Sequence, residues 1–173
     1  MLYKHMELHQ ALKKLKASPE FKEWDEKSKN NFFSYAFKMI EPNKDYPWSL
    51  GFYYETTDKI TTFIVNQDSI DSKAEEEAFK KPGTKIKPID IKKVELTFEN
   101  VLKKAKEFQK QKYPQELVNK TIAILQNPDK YDTIWNITLI TLTFKTINLK
   151  INPQNGKIIH HTIESLMDFA EKK

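Results

Sequence analysis

Apolar and polar positions follow two rhythms along this chain, one with the 3.6-residue period of a helix and one with the two-residue period of a strand. Met6, Leu8, Ala11, Leu12 and Leu15 form one stripe within residues 5–16, which predicts an amphipathic helix with a single core-facing side. SPEFKEW predicts a second, short helix, with Ser18 as N-cap, Pro19 at the first helical position, and Phe21 and Trp24 three apart. Strict alternation then takes over. In NNFFSYAFKMIE, Phe33, Tyr35, Phe37 and Met39 share one face, opposite Ser34, Ala36 and Lys38. In WSLGFYYE, Trp48, Leu50, Phe52 and Tyr54 oppose Ser49, Gly51, Tyr53 and Glu55, TTDK closes a hairpin, and ITTFIVN returns. SKAEEEAFKK has helical character through the four-residue spacings Glu76–Lys80 and Glu77–Lys81, with Asp71 or Ser72 as its expected cap. The breaker-rich PGTKIKPIDIKK marks a domain boundary.

The second half repeats this order. Phe98, Val101, Leu102, Ala105 and Phe108 form a helical stripe that Thr97 caps and Pro114 ends. VNKTIAILQN is an expected strand. WNITLIT puts Trp135, Ile137 and Leu139 on one face, and KTINLKIN sets Ile147, Leu149 and Ile151 against Thr146, Asn148 and Lys150. Asn155-Gly156 is the strongest type I′ hairpin signal in the chain, and KIIHHTIESL is the returning strand. Trp48 and Trp135 stand 87 residues apart, and the same offset carries Leu15 to Leu102, Tyr35 to Ile122, Phe37 to Ile124, Leu50 to Ile137, Phe52 to Leu139 and Ile64 to Ile151. The expected fold class is therefore α+β, with two repeated modules, residues 1–92 and 93–173. Each is an antiparallel β-meander with an N-terminal helix packed on one face.

A helix followed by a meander ending INLKINPQNGKIIHH resembles the PepSY module, through Ile151, Asn152, Asn155, Gly156, Ile158 and Ile159. The resemblance spans residues 97–165, with an echo in YYETTDKITTFIV. Asn152 stands where that family commonly has Asp, and the first-half turn lacks Gly. The resemblance implies a small non-catalytic binding or inhibitory module, of a kind usual in secreted or membrane-linked proteins.

Composition narrows the chemistry. With three glycines in 173 residues, the chain has neither a P-loop nor a dinucleotide fingerprint. With no cysteine, disulfides, thiolate metal sites and cysteine nucleophiles are excluded. The basic residues are all lysine, which argues against base-specific DNA reading by arginine forks and leaves non-specific polyanion binding as the alternative partner class. The N-terminus has no continuous apolar core, so the expected location is cytoplasmic, with no membrane span.

No catalytic, cofactor-binding or metal-binding motif appears. His5 and His9 are four apart without an HExxH pattern, and DSIDSKAEEEAF lacks the glycine of a calcium loop. His161 is expected as a hydrogen-bonded, half-buried residue. A metal set of His160, Glu164 and Asp168 would require that segment to be helical, and an enzyme with a dispersed site around His161 is the remaining alternative. The expected function is recognition of a protein or peptide partner by a sheet face or strand edge. The candidate contact residues are Tyr53, Asn136, Thr138, Ile140, Asn148 and Lys150.

Overall fold

A computed structural model of the chain describes residues 5–78, 80 and 82–170. Two helices open it, α1 (Leu8–Ala17) and α2 (Pro19–Lys27). The bend between them is set by Ser18, whose extended backbone stops α1 and whose hydroxyl accepts from the Phe21 amide at 3.2 Å to start α2. Strands β1 (Asn31–Glu41), β2 (Lys44–Asp45), β3 (Trp48–Tyr54), β4 (Lys59–Val65), β5 (Ile70–Ser72) and β6 (Glu76–Glu77) follow. An irregular connector with one 3-10 turn (Ile91–Lys93) leads to α3 (Phe98–Lys112). Then come β7 (Val118–Gln126), β8 (Ile134–Thr141), β9 (Lys145–Ile151), β10 (Ile158–Ser165) and the short α4 (Leu166–Ala170).

The strands form one antiparallel sheet in the order β10-β9-β8-β7-β1-β3-β4-β5, with β2 beside β1 and β6 beside β4. The halves therefore share a sheet, joined where β1 pairs with β7 from Tyr35–Gln126 to Ile40–Thr121. Helices α1 to α3 lie on one face. Leu8, Leu12, Leu15 and Phe21 pack there with Phe98, Val101 and Ala105 against the inward side chains of the strands, in a single core. At its centre Phe98, Trp48 and Trp135 meet, with ring centroids 4.8 Å (Phe98–Trp48), 5.4 Å (Phe98–Trp135) and 6.2 Å (Trp48–Trp135) apart. Glu7, just ahead of α1, reaches across to α3 and accepts from the amides of Phe98 at 2.6 Å and Glu99 at 3.2 Å. A carboxylate thus sits at the positive end of that helix.

Three local expectations are corrected. First, the alternation of β1 is broken by an irregularity between Phe33 and Tyr35. Phe33 points into the core against Phe52. Beyond the break, Ala36 and Lys38 turn inward, and Tyr35, Phe37 and Met39 face away from the helices. Second, residues 70–77 are extended rather than helical. β5 and β6 take the free edge of β4, so Asp71 and Ser72 are strand residues instead of caps. Backbone pairing along an open edge outweighs two i,i+4 ion pairs worth a few tenths of a kcal/mol each. Lys80 pairs with Asp58 at 2.6 Å instead of Glu76, and Lys81 lies outside the described residues. Third, Asn155-Gly156 does not make a two-residue type I′ turn, because only Gly156 has positive φ (75°). Asn152 organises a longer loop, accepting from the amides of Gln154 and Asn155, and that loop docks through Pro153 O on the Leu96 amide. The connector between the halves is itself packed. Ile89 and Val94 are buried, and the Ile89 amide bonds Phe33 O at 2.9 Å.

One polar anchor has a measurable signature. Glu116 is buried under the β8–β9 turn, where it accepts from Lys145 Nζ at 2.6 Å and from the Thr143 hydroxyl. Lys145 first, then Thr143, holds its pKa below the ordinary 4.5. A carboxylate lowered in this way contributes stability above its ordinary value and loses it as the pH falls through the lowered one. Acidification from about pH 6 to about pH 3 should therefore lower the melting midpoint of the wild type more than that of Glu116→Gln. Thermal melts across that range check the difference.

Candidate functional site

The face of the sheet turned away from the helices has a composition the fold does not require. Strand register lays it out in rows. One row runs Ile64, Ser49, Phe37, Ile124, Asn136, Lys150, His160 across seven strands, roughly 30 Å at ordinary strand spacing. The next places Met39 beside Ile122, Thr138, Asn148 and Thr162. The middle of the face is thus apolar, with half-buried Tyr35, Phe37 and Met39 from β1 and Ile122 and Ile124 from β7, none of them part of the helix-side core. An antiparallel sheet with one face to water ordinarily carries polar residues there.

Gly51 shapes this face. A Cβ at that position would fall 1.9 Å from the Tyr35 ring, so the glycine leaves the space in which Tyr35 lies flat across β3. Tyr35 is fixed there by a 2.7 Å hydrogen bond between its hydroxyl and Thr62 Oγ1, and burial pushes its pKa up. At one margin Lys120 pairs with Glu41 at 2.6 Å, and the Tyr46 hydroxyl donates to the same carboxylate. Lys120 and then Tyr46 hold the Glu41 pKa down.

Five of the six contact residues named from the sequence lie together on the β8–β9 part of this face. Asn148 Nδ2 donates to Asn136 Oδ1 at 2.7 Å and to Thr138 Oγ1 at 3.0 Å, Lys150 Nζ donates to Asn148 Oδ1 at 3.3 Å, and Ile140 pairs with Thr146. This is a polar flank to the apolar centre. Tyr53 is apart from them on β3. It is only 6 % exposed, its hydroxyl donates to Asp58 at 2.6 Å, and Lys80 stands over its ring, so it offers little surface.

The sequence reading put Tyr35, Phe37 and Met39 on the same face as Phe33, whereas the structure sends Phe33 to the core and these three, with Ile122 and Ile124, to the other side. Lys38 was the misleading cue, since alternation sends it to water; the signal pointing the other way was Ala36, a small apolar residue on the same side as Lys38, which pairs with the buried Leu125.

The histidines fall elsewhere. His5 Nδ1 lies 2.9 Å from Asp45 Oδ1 and His9 is exposed. His161 is hydrogen-bonded to the Tyr113 hydroxyl at 2.9 Å and its ring centroid lies 4.9 Å from that of Phe108, tilted by 58°. His160 and Glu164 are on a strand, so the helical stack with Asp168 does not form. Among the described residues no group of three or more His, Asp or Glu converges, and no helix is long and apolar enough to cross a membrane.

No family model matches the chain, and no curated protein does. Among solved structures it is similar to a candidate lipoprotein from Clostridium difficile 630. The TM-score is 0.55 at 12 % identity, over 84 % of this chain and 90 % of that one. At that identity the likeness is one of fold. The PepSY resemblance gains no support from the family comparison.

Proposed function

We propose that the protein is a non-catalytic binding module that holds a protein or peptide partner on the helix-free face of its sheet. The observation behind this reading is the apolar centre of that face, Phe37 and Met39 register-paired with Ile124 and Ile122, set beside the polar Asn136–Asn148–Lys150 network. Apolar anchors inside a polar surround are the usual anatomy of a recognition surface. A PepSY-like origin is compatible with the helix-plus-meander order in each half. Duplication at the 87-residue offset is supported by the two buried tryptophans and by a strand order that mirrors about the β1–β7 seam. Superposing residues 5–78 on residues 93–165 tests it. The cytoplasmic expectation rests on the N-terminal sequence alone, and the candidate-lipoprotein neighbour supports a surface location instead.

Selection of peptides from a random display library on the folded protein tests the binding reading. Enriched peptides should lose at least about tenfold in affinity on Phe37→Asp, a partly exposed site whose change should shift the melting midpoint little. Peptides that bind Phe37→Asp and wild type equally would place recognition on another surface.

A further inference from the structure

The two edges of the sheet are treated differently. At the β4 side the edge is broken into β5, of three residues, and β6, of two, which carry the exposed Asp71, Glu76 and Glu77. Short charged pieces are a standard block to pairing with another chain. The opposite edge is β10, eight residues with neither proline nor lysine, IIHHTIES. Its hydrogen-bonded neighbour in the sheet is β9 on one side only. Ile159 and Ile163 on this strand are 42 % and 37 % exposed. Among the described residues, every large apolar side chain exposed by more than a third lies between Leu117 and Met167, around this edge and the adjoining β8–β9 turn.

We propose that β10 is a self-association edge, on which a second copy of this chain adds its own β10 antiparallel about a two-fold axis through Thr162. The argument for a second copy is that the strand is complementary to itself. Pairing about Thr162 sets His160 opposite the partner's Glu164 and, by symmetry, Glu164 opposite the partner's His160. Both side chains are exposed and lie on the helix-free face, where they pair with Lys150 and Thr146 of β9. Thr162 meets the partner's Thr162 on the same face. On the helix side His161 meets the partner's Ile163. A histidine–carboxylate hydrogen bond and a Thr–Thr cross-strand pair are favourable ones. An axis through a residue also lets the outward amide and carbonyl groups of both strands meet, whichever alternate set points outward. Centring on His161 instead would face that histidine with itself. A closed two-fold consumes both open edges, so growth stops at the dimer. The resulting sheet keeps both helix-free faces on one side, and Phe37 is four strands from the junction. The dimer therefore stands or falls independently of the proposed binding face.

The experiment is sedimentation equilibrium on the full chain and three variants. Wild type should move toward twice the 20.5 kDa chain mass as its concentration rises through about 100 µM. His160→Glu places two glutamates opposite each other twice over, and Glu164→Lys sets lysine against histidine. Each should raise the dimer Kd by about tenfold or more. The double variant His160→Glu/Glu164→Lys should restore dimerisation. An equimolar mixture of the two single variants should form a heterodimer more strongly than either forms a homodimer. A wild type that stays at the monomer mass up to about 1 mM, or a dimer that neither single variant weakens, overturns the proposal. Unchanged melting midpoints in the single variants show that the loss is at the edge and not in the fold.

Discussion

Trp48→Ala lowers the melting midpoint by about 10 °C or more, the largest single-site loss expected in this protein. Trp48 is fully buried, with Phe98 at 4.8 Å and Trp135 at 6.2 Å between ring centroids, so the substitution empties the point where β3, β8 and α3 meet. Truncating a buried tryptophan costs about 3–5 kcal/mol, since lost burial and an unfilled cavity add. For a chain of this size about 1 kcal/mol corresponds to about 2–4 °C. The indole also donates to Met6 O at 2.8 Å, which ties the segment before α1 to the sheet. Trp135 Nε1 has no hydrogen-bond partner among the described residues. Trp48→Phe should therefore cost about 1 kcal/mol more than Trp135→Phe, the difference being that hydrogen bond. Chemical denaturation of both phenylalanine variants separates ring packing from hydrogen bonding. Equal losses would show that the Met6 contact contributes nothing.

Asp45→Ala costs about 3 kcal/mol, and Lys38→Met largely cancels that loss. Lys38 is 1 % exposed on the helix side of the central strand. Its ammonium lies 3.0 Å from Asp45 Oδ1, bonds Tyr46 O at 2.5 Å and stands 5.4 Å from the Trp48 ring centroid. Burial lowers the Lys38 pKa, and the bond and charge of Asp45 oppose that shift. Burial alone would raise the Asp45 pKa, but hydrogen bonds from His5 and Lys38 bring it below 3.8. Removing Asp45 leaves a buried cation short of its counter-charge, a change that typically costs about 3–5 kcal/mol. Replacing the buried member by an apolar residue of similar length is often close to neutral. The expected order of stability is wild type and Lys38→Met within about 1 kcal/mol, then the Asp45→Ala/Lys38→Met double variant, then Asp45→Ala alone. A double variant less stable than Asp45→Ala would mean that Lys38 contributes through contacts other than its charge. The Asp45 contribution also has a pH sign. With its folded pKa below the ordinary value, the stability it supplies is present above about pH 4 and fades as the pH falls through the lowered value.

What could be read from the chain and what could not divide along physical lines. Helices α1 to α3 announce themselves because local sequence decides them, through an apolar stripe and the hydroxyl caps at Ser18 and Thr97. Strands β3, β8 and β9 do so because their inward residues, such as Trp135, Ile137 and Leu139, alternate without interruption. The candidate face was hidden by a single irregular step. One extra residue near Ser34 exchanges the two sides of β1, and periodicity counted through it sends Phe37 and Met39 inward and Lys38 outward. Residues 70–77 were hidden for a different reason. Their charge spacing favours a helix, but the unpaired edge of β4 is a long-range feature that no local window contains. The Glu7 cap on α3 joins residues more than ninety positions apart and leaves no trace in local spacing. The polar flank was accessible because β8 and β9 are regular, so Asn136, Thr138, Asn148 and Lys150 could be assigned to one side by counting alone.

The seam between β1 and β7 has a consequence for biosynthesis. β1 ends at Glu41 and its partner is complete only at Gln126, so 85 residues separate them on the ribosome. At about 5–20 residues per second, a nascent chain waits about 4–17 s with one side of an aromatic-rich strand unmatched. For that interval Phe37 and Met39 border a raw edge, and the newborn amino-terminal half presents just the kind of surface that holdase chaperones shield.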